Sequence, residues 1–142
     1  MTAPTAFRVD IPFVNDLGVE LLAADTGRAT VALQLHPRHL NSWKVAHGGV
    51  IMTLLDVAMA VAGRSLDPGA GGGVTVDMKT SFLQPAFAGS RLAASGHAFH
   101  RSSKMVFCDG EVRDETGRLI ARSMGTFTYI RQGPADQPAP DQ

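Results

Sequence analysis

The strongest pattern along the chain is apolar. From Gly48 to Gly63, "GGVIMTLLDVAMAVAG", every position except Asp56 is apolar, glycine or threonine. A run of this length reads as a helix of about four turns, from Gly48 to about Arg64, opened by His47-Gly48-Gly49. Upstream, "VELLAAD" and "ATVALQL" flank Thr26-Gly27-Arg28, a turn-like break between two runs of strand character. "HPRHLNSWKVAHGG" then carries the polar residues and glycines of a loop. Downstream, "LDPGAGGG" ends the helix with residues that favour turns. Four segments follow that alternate apolar and polar positions over most of their length: "VTVDMKTSFLQ", "SRLAASGHAFHR", "KMVFCDGEVRDE" and "RLIARSMGTFTYI". They are separated by residues 85–89, 102–103 and 116–117 and read as consecutive antiparallel strands.

The order is therefore strand, strand, long helix, four strands. A helix that is apolar on nearly all sides must be covered, and a curved antiparallel sheet wrapped around it does so simply. The expectation is an α+β chain with the hotdog fold, one domain over residues 1–132. The proline-rich, polar end, 133–142, is expected to be a disordered tail.

Composition narrows the chemistry. Lys plus Arg and Asp plus Glu each number 13, so no overall field attracts nucleic acid or an anionic membrane. An anionic ligand must be met by a local cluster. Cys108 is the only cysteine, which excludes an intrachain disulfide framework and fits a reducing, cytoplasmic setting. The opening "MTAPTAFRVDIPFVND" lacks the basic and apolar regions of a secretory signal. The apolar run is shorter than the roughly 20 residues of a membrane span and is interrupted by charge. Neither nucleic acid nor membrane is expected as a partner.

An ionised carboxylate in apolar surroundings costs several kcal/mol unless it is paired, hydrogen-bonded or used. Asp56 either bonds a neighbouring group or faces a polar interface, or it is a base or nucleophile whose pKa burial raises. Gly48 and Gly49 either permit a tight turn or let a ligand reach the unpartnered N–H groups of the helix start, where the helix dipole stabilises an oxyanion. Gly48 precedes Asp56 by eight residues, roughly 12 Å along a helix axis. Catalytic groups work within about 3 Å of the reacting atoms. If both act on one substrate, they come from two subunits of a symmetric dimer.

The stretch "HLNSWKVAHGGVIMTLLDVAMA" resembles the hotdog-fold acyl-CoA thioesterases of the PaaI type, related to the Arthrobacter-type 4-hydroxybenzoyl-CoA thioesterases. The resemblance runs from about Asp16 to Arg131 and includes Asn41, the His47-Gly48-Gly49 triplet, the acid nine residues after that histidine, "GVTVDMKTSFLQPAFAG" and "ARSMGTF". It implies hydrolysis of an aryl- or fatty acyl-CoA to free acid and CoA, without a cofactor or metal. Asp56 would then be general base or nucleophile, and Gly48 the N–H donor to the thioester carbonyl. His47 and Asn41 would order that end of the site, and Thr75 would hold the attacking water. The resemblance also implies a homodimer with sites between subunits, assembled as a homotetramer, and a place in phenylacetic acid degradation.

CoA phosphates call for cations. Arg101, Ser103, Lys104 and Arg91 are the candidate contacts, with Ser102 and Arg64 beside them. Met52, Leu55, Met59 and Phe82 either line an acyl channel or pack the core. A hotdog domain that binds acyl-CoA or an acyl carrier without turnover is the alternative function. Metal binding by His36, His39 and His47, or by His97 and His100, lacks a compact ligand pattern. His97 and His100, three apart, are expected on opposite faces of a strand.

Overall fold

A computed structural model describes Phe7 and residues 10–131. The expected tail from 133 lies outside the described residues. Nine elements are present among them: a short helix α1 (Pro12–Leu17), β1 (Glu20–Asp25), β2 (Arg28–Gln34), a 3-10 turn (Pro37–His39), α2 (Gly48–Ser65), β3 (Gly72–Phe82), β4 (Arg91–Arg101), β5 (Met105–Asp114) and β6 (Leu119–Ile130). Only α1 and the 3-10 turn were not anticipated. At six residues α1 spans fewer than two turns, too short to show a helical period. It opens on proline, whose fixed φ suits the first helical position, and closes on Gly18 at φ 87°.

The β1–β2 hairpin turns through Thr26 and Gly27, both at positive φ, a turn whose hand matches the twist of the strands. All neighbouring strands are antiparallel, in the order β1-β2-β4-β5-β6-β3. The strands that follow the helix are thus not all neighbours. β4, β5 and β6 form a meander, whereas β3, among the described residues, pairs only with β6 and forms one edge of the sheet.

The helix α2 lies across one face of this sheet, and Leu54, Leu55, Ala58, Met59 and Ala62 are fully buried. Contrary to the expectation from the apolar run, the 18-residue helix is long and apolar enough to cross a membrane by length and composition; here those residues belong to the core cluster shared with β2, β4, β5 and β6. Glycine permits the close approach. A Cβ at Gly96 of β4 would stand 2.4 Å from the Ala58 carbonyl oxygen on the helix. Gly96 pairs directly with Gly110 of β5, so the sheet is bare of side chains where the helix backbone presses on it. At the far end of the helix, the Tyr129 hydroxyl on β6 donates to the Gly63 carbonyl at 2.7 Å.

β4 and β6 alternate buried and exposed residues over most of their length. β3 does not, although its sequence alternates: Val74 and Val76 are each 54% exposed, and their neighbours Thr75 and Asp77 are exposed too. An edge strand that the helix covers only in part leaves both kinds of position open within one chain.

Candidate functional site

Asp56 is half-buried on α2, and its Oδ1 accepts a hydrogen bond of 2.6 Å from the Thr75 hydroxyl on β3. The strand bulges between Thr75 and Asp77, where its register against β6 shifts. Bulges re-aim side chains, and this one lies beside the residue that meets Asp56. Burial pushes the Asp56 carboxyl above its ordinary value, and the Thr75 bond lowers it by less. The result is a carboxylate held in place by one oxygen, with a raised affinity for a proton. Those are properties of a general base.

The start of α2 is built around one open donor. His47 is the N-cap, and its Nδ1 accepts from the Gly49 N–H at 2.8 Å. The His47 carbonyl accepts from the Val50 and Ile51 amides at 2.9 and 3.2 Å. Of the first four amides of the helix, only that of Gly48 meets no acceptor among the described residues. Nor does the chain's own packing require glycine at 48. A methyl there would touch the Phe82 ring at 3.5 Å, an ordinary contact. At Gly49 the same methyl would stand 3.1 Å from His47 Nδ1, so this glycine makes room for the cap.

The loop before the helix is tied by its own hydrogen bonds. Asn41 Oδ1 accepts from the Trp43 and Val45 amides, at 2.9 and 3.3 Å, and its backbone N–H donates to the Val45 carbonyl at 2.8 Å. Lys44 is held at φ 62°, and Trp43 projects from the turn 84% exposed. With its oxygen committed, Asn41 keeps its side-chain NH2 without an acceptor among the described residues. His39, considered above only as a metal ligand, braces this loop. Its buried ring accepts from the His36 N–H at 2.9 Å and lies 2.8 Å from the Leu17 carbonyl, while its own carbonyl accepts from the His47 N–H at 2.8 Å. A buried histidine three residues after another was the available signal, but the partner on α1 was not visible in it.

Asn41 and Gly48 share a cleft of about 370 Å³ with apolar walls from Val45, Ile51, Phe82, Ala86 and Ile120. Asp56 and Thr75 do not line it. One chain therefore brings together Asn41, His47 and Gly48 at the helix start, and Asp56 with Thr75 farther along, as two separate groups.

The expected CoA contacts lie elsewhere. Arg101 bonds Asp67 at 3.2 Å and the Leu66 carbonyl at 3.0 Å, and its guanidinium sits 4.9 Å from the Tyr129 ring centre. Arg131 also pairs with Asp67 and holds the Ser103 carbonyl. The two arginines, that of Arg131 first, hold the Asp67 carboxyl below its ordinary value. Asp67 is 34 residues from Arg101, beyond any local pattern. Arg91 pairs with Glu20 at 3.4 Å. Ser103 and Lys104 are exposed in the β4–β5 turn. Leu55 and Met59 are fully buried and serve the core, whereas Met52 and Phe82 are exposed. Burial, and then Asp109, push the Cys108 thiol up to about 12, far from a nucleophile's range. Among the described residues no group of three His, Cys, Asp or Glu side chains could hold a metal ion.

Comparison with known proteins places this geometry. The thioesterase superfamily model matches residues 44–121. The chain is 30% identical over 110 residues to the acyl-coenzyme A thioesterase PaaI of Escherichia coli, covering 77% of this chain and 76% of that one. It is 28% identical over 109 residues to the Homo sapiens acyl-coenzyme A thioesterase 13, covering 76% and 77%. The solved structure of the E. coli PaaI protein superposes with a TM-score of 0.79 at 26% identity, covering 85% of this chain and 86% of the other.

Proposed function

Since the chain belongs to the thioesterase superfamily, as a hotdog-fold thioester hydrolase of the PaaI type, we propose that its substrate is an aryl- or fatty acyl-CoA and that its active site joins two chains. The observation that carries this reading is the separation of the two groups on α2. The free Gly48 N–H and the Thr75-bound Asp56 are eight residues apart on one helix, about 12 Å by helix rise. A carbonyl held at Gly48 is out of reach of Asp56 in the same chain.

A second copy supplies what one chain lacks. The outer edge of β3 has backbone groups free to pair, and Val74, Val76 and Thr75 stand exposed beside it. Two-fold pairing of β3 with the β3 of a second copy would cover these residues and bring each Asp56 toward the opposite helix start. It also accounts for a strand whose alternating sequence meets no matching burial within one chain. Tetramers built from two such dimers would have the exposed Phe99 and Met124, outside both groups, as surface to cover.

In this site the thioester carbonyl oxygen accepts from Gly48 N–H, with the Asn41 NH2 and the His47 ring at the same end. Asp56, in the other chain, takes a proton from water as the water oxygen bonds to the carbonyl carbon. The oxyanion is stabilised by the Gly48 amide and the positive end of α2. As it collapses, the C–S bond breaks and the proton returns from Asp56 to the sulfur. The products are a carboxylic acid and the CoA thiol. Direct attack by the Asp56 carboxylate, which breaks the C–S bond and expels the CoA thiolate to give an anhydride that water opens to the acid and a protonated Asp56, whose proton goes to the thiolate, uses the same groups.

The test is release of free thiol from a panel of aryl- and fatty acyl-CoAs by the wild type and by Asp56→Asn. The variant is expected to lose about 10²–10⁴-fold in kcat. Equal rates in a folded variant would remove Asp56 from the chemistry.

A further inference from the structure

We propose that the cleft between the 41–47 loop and the turn after β3 receives the acyl group, and that Phe82 sets the size of acyl group the enzyme accepts. This rests on the thioesterase reading above. The cleft begins at the reacting end, because Gly48, with its free N–H, and Asn41, with its free NH2, both line it. A thioester carbonyl bound at Gly48 therefore sends one of its two substituents into this space.

The lining decides which one. A pantetheine arm carries amides that must find hydrogen-bond partners when buried. Beyond Asn41 the only polar side chain on the walls, among the described residues, is Gln84. The backbone offers little more: the Ala86 carbonyl is taken by the Ala46 amide at 2.8 Å, and the Ile120 carbonyl by the Leu83 and Gln84 amides at 2.8 and 3.2 Å. An apolar acyl group leaves nothing unsatisfied there, so the pantetheine arm leaves by the other side. At about 370 Å³ the cleft is near the small end of the roughly 300–1,000 Å³ typical of ligand sites. How large an acyl group it holds depends on the wall that stands against the oxyanion donor.

Phe82 is that wall. It is the last residue of β3, pairs with Ala121 of β6, and lays its ring against Gly48. It remains 55% exposed although it packs on the helix start, so the ring is the boundary between the oxyanion donor and the space outside. Another side of the cleft, lined by Val45, Ala46 and Ala86, is backbone tied by the Ala46–Ala86 hydrogen bond and the Val45–Phe87 bridge. Because that side is fixed, the ring of Phe82 decides how far an acyl chain can extend.

The experiment compares kcat/KM across acyl-CoAs of increasing chain length, and across one- and two-ring aryl acyl-CoAs, for wild type, Phe82→Ala and Phe82→Tyr. Phe13→Ala, an exposed phenylalanine on α1 outside the cleft, is the control. In parallel, affinities of non-cleavable S-alkyl-CoA thioethers of the same lengths are measured by calorimetry. Phe82→Ala is expected to lose about tenfold in kcat/KM on the smallest acyl groups and to shift the optimum to larger ones. Phe82→Tyr keeps the wild-type size optimum, and Phe13→Ala keeps the whole profile. An active Phe82→Ala enzyme with an unchanged size profile would overturn the proposal and leave the thioesterase reading intact. A wild type that releases no thiol from any substrate would instead end that reading. The thioether affinities then decide the cleft: length dependence lost in Phe82→Ala supports it, and length dependence that is absent or insensitive to Phe82 overturns it.

Discussion

At Asp56 two effects oppose each other: burial favours the protonated carboxyl, and the Thr75 hydroxyl favours the carboxylate, with burial prevailing. The consequences for stability and for activity have opposite signs. The native state holds the Asp56 proton more tightly than the unfolded chain, whose carboxyl titrates near 3.8. The stability this group contributes is complete below that value and is lost as pH rises through the raised native pKa. Activity appears over the same rise, because a base must be ionised to accept a proton. Thr75→Val removes the effect that lowers the pKa, so the acid limb of kcat/KM against pH should move to higher pH; an unmoved limb would reduce Thr75 to a strand residue. Gly48 allows a cleaner test. Its N–H has no acceptor among the described residues, it is the first residue of α2, and His47 before it is extended at ψ 137°. Proline is tolerated at such a position and lacks the N–H. Gly48→Pro should retain the melting temperature of the wild type and lose about 10²–10³-fold in kcat, the effect of deleting one oxyanion donor. Asp56 stood out in the sequence as a lone acid in an apolar run. That Gly48, of the first four helix amides, is the one without an acceptor among the described residues was not visible there, because it depends on where the His47 ring and carbonyl turn.

At the scale of elements, the join between α2 and the sheet depends on missing side chains. A methyl at Gly96 would meet backbone of the helix, and backbone yields less readily than a flexible side chain. Gly96→Ala should therefore cost about 1–3 kcal/mol in urea unfolding, the usual range for overpacking. A loss below about 0.5 kcal/mol would mean the helix can ride up without penalty. The helix was legible as a long apolar run, β1 and β2 as runs of strand character about a turn, and the last four strands as alternation of apolar and polar positions. Two features were not. In β4 the register shifts between Ala98 and His100, so the count that puts His97 and His100 on opposite faces fails at the bulge. In β3 the alternation was read correctly as a strand, but its burial was not, because an edge has a neighbour on one side only.

For the whole molecule, a site shared between chains makes a prediction that a site within one chain does not. Co-expressed Asp56→Asn and Gly48→Pro chains form mixed dimers in which one of the two sites pairs an intact Gly48 with an intact Asp56. Random assortment makes half the dimers mixed, so the preparation should recover about a quarter of wild-type activity although each variant alone is nearly inactive. No recovery, in mixed dimers confirmed by affinity tags on the two chains, would place the whole site within one chain. The order of elements, the isolated acid, the glycine-opened helix and the spacing that separates them could all be read from the sequence. Each is a local matter of period, turn chemistry or distance along a helix. Tertiary structure alone decided that β3 crosses to β6 and becomes an edge, that Thr75 reaches Asp56, and that Asp67 takes Arg101. It also decided that Phe82 closes over Gly48. These pairings join residues 19 and 34 apart, and more, through packing of the sheet on the helix, and no local period records which distant partner a side chain will meet.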